Sequence, residues 1–132
     1  MYRALIRDAF NDKNSHPIAF GHMTHRLESE NPPIEYQLRD TKRYLRTTNG
    51  KEHRQVGSLE VVNFAVHEHA RRQGHCTRFL CAMEECAHDQ KKIVYVESVL
   101  SDVLVGILKK RGYYANGESG SFICDPCGLL LE

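Results

Sequence analysis

Residues 60–80 read EVVNFAVHEHARRQGHCTRFL. Val61, Val62, Phe64, Ala65 and Val66 leave almost no polar face, which fits a strand covered on both sides. Cys76, Phe79, Leu80, Met83 and Ala87 then recur at helical spacing and predict a helix to about residue 88. Between the two lies Arg71-Arg72-Gln73-Gly74-His75-Cys76, a basic turn that carries a glycine. A strand feeding such a turn at a helix start is a ready cradle for an anion. The first helical N–H groups have no partner inside the helix, and the helix dipole favours negative charge there.

Downstream, residues 93–99 (IVYVESV) read as another buried strand. Ser101-Asp102 offers a helix cap, with Val103, Leu104, Ile107 and Leu108 as the apolar stripe and Gly112 as the stop. Tyr113-Tyr114 and residues 121–124 predict a last hairpin around residues 117–120. A strand, a crossover helix and a further strand imply a parallel pair. Upstream, the strand extends back to about Gln55, and Asn49-Gly50 is a hairpin turn. Ile34, Tyr36 and Leu38 alternate, so residues 34–48 read as its partner strand. Residues 28–33 (ESENPP) read as a loop because consecutive prolines block helix and ladder donors alike. Residues 17–27 look like a strand and 11–16 a turn, while residues 1–10 fit either a strand or a short amphipathic helix.

The chain has 132 residues, enough for one domain with a single core. A formal net charge of +1 argues against wholesale nucleic-acid binding, which needs a basic face, though it leaves room for a local basic patch. No apolar stretch approaches a membrane span. Arg3, Arg7 and Asp8 in the first residues do not read as a secretory signal. These features point to a cytoplasmic protein whose five cysteines are reduced thiols.

With its elements in this order, the chain resembles the GNAT superfamily of acetyl-CoA-dependent N-acetyltransferases. The family's phosphate-loop signature, Arg/Gln-x-x-Gly-x-Gly/Ala, is met by Arg71 to Cys76, with Cys76 at the last small position. Phe64-Ala65-Val66 matches its upstream apolar-Ala-Val triplet, and Lys110-Arg111-Gly112-Tyr113 the Lys-x-Gly-Phe/Tyr that ends its second helix. The resemblance covers residues 57–114. It implies an α/β fold: a mixed, mostly antiparallel twisted sheet flanked by helices, with an abbreviated N-terminal region. Residues 57–114 would be the acetyl-CoA-binding core, 1–56 a variable acceptor part and 115–132 a C-terminal hairpin. Residues 1–10 and 17–27 would then supply the family's second and third strands, and a homodimer is one way to complete a shortened acceptor wall.

The resemblance also implies roles. The loop Arg71, Arg72, Gln73, Gly74, His75, Cys76 and Thr77 would hold the coenzyme diphosphate, and Phe64, Ala65 and Val66 would line the thioester where two strands splay and free a backbone N–H. Glu60 stands six residues before Val66, where the histone-acetyltransferase branch carries its base. The alternative for Glu60 is a cross-strand ion pair. The acceptor is a primary amine on a protein or a small molecule, and no metal is expected. Leu108 occupies the place where many members carry a proton-donating tyrosine. That departure keeps a second reading alive, a coenzyme A-binding regulator or interaction module without turnover.

Other signals carry less. Cys124-Asp125-Pro126-Cys127 lacks the second pair that a structural zinc site uses. Cys76 at a helix start fits a small core residue or a thiol of lowered pKa. His67 and His69 read as exposed. Lys42, Arg43 and Arg46 form a small basic cluster that reads as a solvated hairpin face and that can attract an acidic partner.

Overall fold

The computed structural model describes residues 2–11, 17–18, 22–30, 33–97, 99, 101–116 and 120–131, with backbone alone at 11, 17–18, 22–30, 33 and 69. In chain order the elements are α1 (Tyr2–Asn11), β1 (Pro17–Ile18), β2 (His22–Glu30), β3 (Pro33–Arg46), β4 (His53–Val66), a 3-10 turn (Glu68–Ala70), α2 (His75–Gln90), β5 (Ile93–Val96), α3 (Asp102–Lys110), β6 (Tyr114–Ala115) and β7 (Phe122–Cys124). The strands form one sheet in the order β1-β2-β3-β4-β5-β7-β6. Every pairing is antiparallel except β4 with β5, the parallel pair that the strand–helix–strand order requires.

Two apolar clusters lie on the two faces of this sheet. Leu59, Val61, Val94 and Val96 face one cluster, which Ile6 of α1, Phe79 and Met83 of α2 and Leu108 of α3 complete. Ile93 and Tyr95 face the other, with Leu45, Val56, Ile123 and Leu130. Alternate residues of β5 enter opposite clusters, so all of its positions are buried. Lys92 crosses Gly57 to pair with Asp40 of β3 at 2.9 Å. A Cβ on Gly57 would stand 2.8 Å from the Lys92 stem, so only glycine lets the lysine cross there.

Several expectations change. Residues 2–11 are a helix and not a strand, because Tyr2, Ile6 and Ala9 bury one face while Arg3, Arg7 and Asp8 stay out. The strand expected over 17–27 is two, β1 and β2. β2 runs through Glu30, which pairs with Pro33, so residues 28–30 are strand and not loop. A proline at a strand's first residue forgoes a single ladder donor, which is why the prolines do not stop the hairpin. β5 ends at Val96, short of residue 99. The Asn49-Gly50 turn forms, with Gly50 at φ 75° and the Thr47 amide bonded to the Glu52 carbonyl at 2.8 Å. Of the turns expected at 11–16 and around 117–120, Asn11 belongs to α1, and residues 12–16 and 117–119 lie outside the described residues.

One irregularity in β4 positions everything that follows. Gln37 pairs with Asn63 but Leu38 pairs with Val61, which leaves Val62 as an extra residue. A bulge bends the strand and shifts its side-chain phase by one. Phe64 thereby joins Phe79 in the core, ring centroids 4.4 Å apart. At the same place β4 and β5 part: their last pair is Val61 with Val96, and β4 continues to Val66 without its neighbour.

Candidate active site

The gap left by this parting is a cleft of about 590 Å³. Phe64, Ala65 and Val66 form one wall, and the turn from Ala70 to Thr77 forms its mouth. The opposite wall comes from α3, through Ser101, Val103, Leu104 and Ile107. Nine of the ten loop and strand positions singled out by resemblance line it together; Gln73 is exposed beside it.

The mouth is built from backbone conformation. Arg72 has φ 66° and Gly74 φ 80°, both left-handed, and Gly74 caps α2. For arginine that region costs about 1 kcal/mol, a strain that tends to mark functional backbone. Turns of alternating hand gather amides into an anion-binding concavity. Helix α2 has no side-chain cap and no acidic residue in its first turn, so its leading N–H groups have no acceptor from either source. Arg71 donates from Nε to the Val66 carbonyl at 3.2 Å and fastens the loop to the end of β4. Arg72 is exposed at the mouth.

Two loop residues take other duties through their side chains. His75 Nδ1 lies 2.6 Å from the Tyr2 hydroxyl and 3.2 Å from an Arg78 nitrogen. Arginine can only donate, so Nδ1 accepts and the ring proton sits on Nε2. This contact ties α1 to the start of α2. Cys76 is half-buried, and burial pushes its thiol up to about 11, with Arg111 opposing weakly. It is a neutral thiol packed against the core, and the helix start does not activate it.

Glu60 lies outside the cleft lining and is fully buried. Its carboxylate takes Arg39 through Nε at 2.8 Å, Arg43 through Nη2 at 2.9 Å and through Nε, and the Ser58 hydroxyl at 2.8 Å. Arg39 also reaches Glu97 at 3.1 Å, and the Arg43 guanidinium lies 3.9 Å from the centre of the Tyr95 ring. Burial opposes the charge of Glu60, but bonds from Arg43, Arg39 and Ser58 outweigh it and hold the carboxyl below its ordinary value. This is the cross-strand ion-pair arrangement; a base needs a free oxygen within reach of its proton.

Leu108 is fully buried in the core. Tyr113 is buried too, its hydroxyl donating to Glu84 at 2.9 Å, and burial beside Glu84 keeps it protonated far above its usual range. His67 is half-buried rather than exposed, and the His69 side chain lies outside the described residues. Cys124 and Cys127 are free thiols, Cys127 donating to the His88 carbonyl at 3.4 Å. Among the described residues no group of three or more His, Cys, Asp or Glu could hold a metal ion. Likewise, no helix among them is long and apolar enough to cross a membrane.

The fold is that of the GNAT acetyltransferases. Solved structures that share it include AtaT, a toxin bound to the C-terminus of the antitoxin AtaR and acetyl-CoA, here as a tyrosine-to-phenylalanine mutant. It is 12% identical, covers 92% of this chain and 74% of its own, and has a TM-score of 0.58. AtaT complexed with acetyl-methionyl-tRNAfMet is 11% identical, with 92% and 76% coverage and a TM-score of 0.59. A KacT mutant is 12% identical, with 80% and 70% coverage and a TM-score of 0.57. No protein-family model matches the chain, and no curated protein matches it in sequence.

The wall from α3 is what sequence reasoning misplaced. Val103, Leu104, Ile107 and Leu108 read as one core stripe, yet only Leu108 is fully buried and Val103 is 74% exposed at the cleft.

Proposed function

We infer that the cleft binds acetyl-CoA and that the protein transfers the acetyl group to an amine. The observation that carries this is the start of α2: a left-handed Gly74 cap, no side-chain acceptor and two adjacent arginines, at the mouth of an apolar slot. The diphosphate sits on the α2 amides with Arg72 beside it. The pantetheine arm lies along the free edge of β4 against Leu104 and Ile107. Backbone donors past Val61 polarise the thioester carbonyl. The amine lone pair then attacks that carbon, the C–S bond breaks, and coenzyme A leaves as thiolate and takes a proton.

Glu60 serves in this reading as the anchor of Arg39 and Arg43 and not as the base. Proton removal from the amine falls to water. The acceptor belongs to the amine class; because one neighbour is complexed with acetyl-methionyl-tRNAfMet, aminoacyl-tRNA joins lysine peptides and polyamines in the first screen. Release of free coenzyme A thiol is the readout. Turnover with at least one amine, lost in Arg72→Glu, supports the reading. Tight acetyl-CoA binding with no turnover on any amine favours the second reading, the coenzyme-binding regulator, which Leu108 at the usual tyrosine position supports.

A further inference from the structure

A second cleft, of about 950 Å³, opens at the other end of β4 and shares no lining residue with the first. Its floor and walls come from the end of β3, the Asn49-Gly50 turn, the start of β4, Tyr95 of β5 and residues 114–116. Lys42, Arg43, Arg46 and His53 line it, and among the described residues no carboxylate does. The charge of Arg43 is taken up by Glu60. Lys42 and Arg46 are exposed, and neither has an ion-pair partner among the described residues. Among the described residues, the uncompensated charge in the cleft is therefore positive.

The cleft also carries flat rings. Tyr44 stacks on His53 with centroids 5.3 Å apart and planes 23° from parallel. His53 occupies one side of the ring, and Tyr44 remains 71% exposed. Tyr114 stands in the wall, and its buried hydroxyl has no partner among the described residues. Cations beside a pre-stacked, exposed aromatic match what a phosphate next to a planar base needs.

We propose that this cleft binds a nucleotide, its base stacked on Tyr44 and its phosphate held by Lys42 and Arg46. Two sources share that chemistry, a free nucleotide and a single strand. The site stands apart from the acetyl-CoA reading and survives its failure. The test uses the whole chain with two probes, ADP and a short fluorescent uridine oligomer.

Binding of either probe is expected. Tyr44→Ala weakens it about tenfold, the usual worth of one stacked base, and Tyr44→Phe keeps it. Lys42→Ala with Arg46→Ala lowers the salt slope for the oligomer by roughly 1.4, the share of two phosphate contacts on a single strand. Lys109→Ala, an exposed cation on α3, changes nothing and controls for general charge. ADP and oligomer binding alike identifies a free nucleotide; oligomer binding alone identifies a strand. All substitutions lie at exposed positions, and circular dichroism checks that each variant folds. No binding of either probe, or binding unchanged in Tyr44→Ala and the double variant, overturns the proposal.

Discussion

Glu60 is the residue whose sequence position and surroundings say different things. From position it is a base; from surroundings it is a buried anion held by two arginines and a serine. Removing one partner of such a group leaves the others' charges uncompensated, at a cost of about 3–5 kcal/mol. Glu60→Gln is accordingly expected to lower the urea midpoint sharply, and stability independent of residue 60 would refute the structural role. The sign of the pH effect follows from the lowered pKa. Its contribution is complete above the unfolded value of about 4.5 and is lost as pH falls through the lower folded value. Wild type therefore loses this stability in acid and Glu60→Gln does not; parallel acid curves would contradict that. The sequence offered a cross-strand ion pair for Glu60 but not its partners, because Arg39 and Arg43 reach Glu60 only through the β3–β4 register. Gly74 was legible, since a glycine between a strand and a helix has few other uses.

At the scale of elements, α3 is a wall of the candidate site. Its N-terminal half faces the cleft, while its end is fastened to α2 by Arg111, which donates to both oxygens of Glu84 at 2.9 and 2.6 Å. Both side chains are largely covered, so Arg111→Ala is expected to cost about 2 kcal/mol, near the worth of hydrogen bonds to a charged group. The loss belongs to α3: its amides exchange faster while those of β4 keep their protection, as hydrogen exchange will read. A uniform change across the sheet would mean that the pair holds the whole domain. The sequence revealed α2, α3 and β4 because each has one period and a cap or turn at its ends. It left α1 open because ten residues with Tyr2, Ile6, Ala9 and Phe10 satisfy either period. The Val62 bulge was invisible, since an extra residue in an all-apolar run leaves no mark on its pattern.

Across the whole molecule, β4 carries the organisation. At its C-terminal end the sheet opens into an apolar slot with a helix start at its mouth; at the other end lies a basic, aromatic cleft. A formal net charge of +1 hides this polarity, because the cations of the second cleft are balanced elsewhere on the surface. The central claim is that the slot and the α2 start hold acetyl-CoA. Calorimetric titration of acetyl-CoA into the wild type and into Arg72→Glu, both checked for fold by circular dichroism, tests it most directly. The account predicts saturable micromolar binding by the wild type that Arg72→Glu abolishes. A folded wild type that does not bind, or an Arg72→Glu variant that binds as well as wild type, would contradict it.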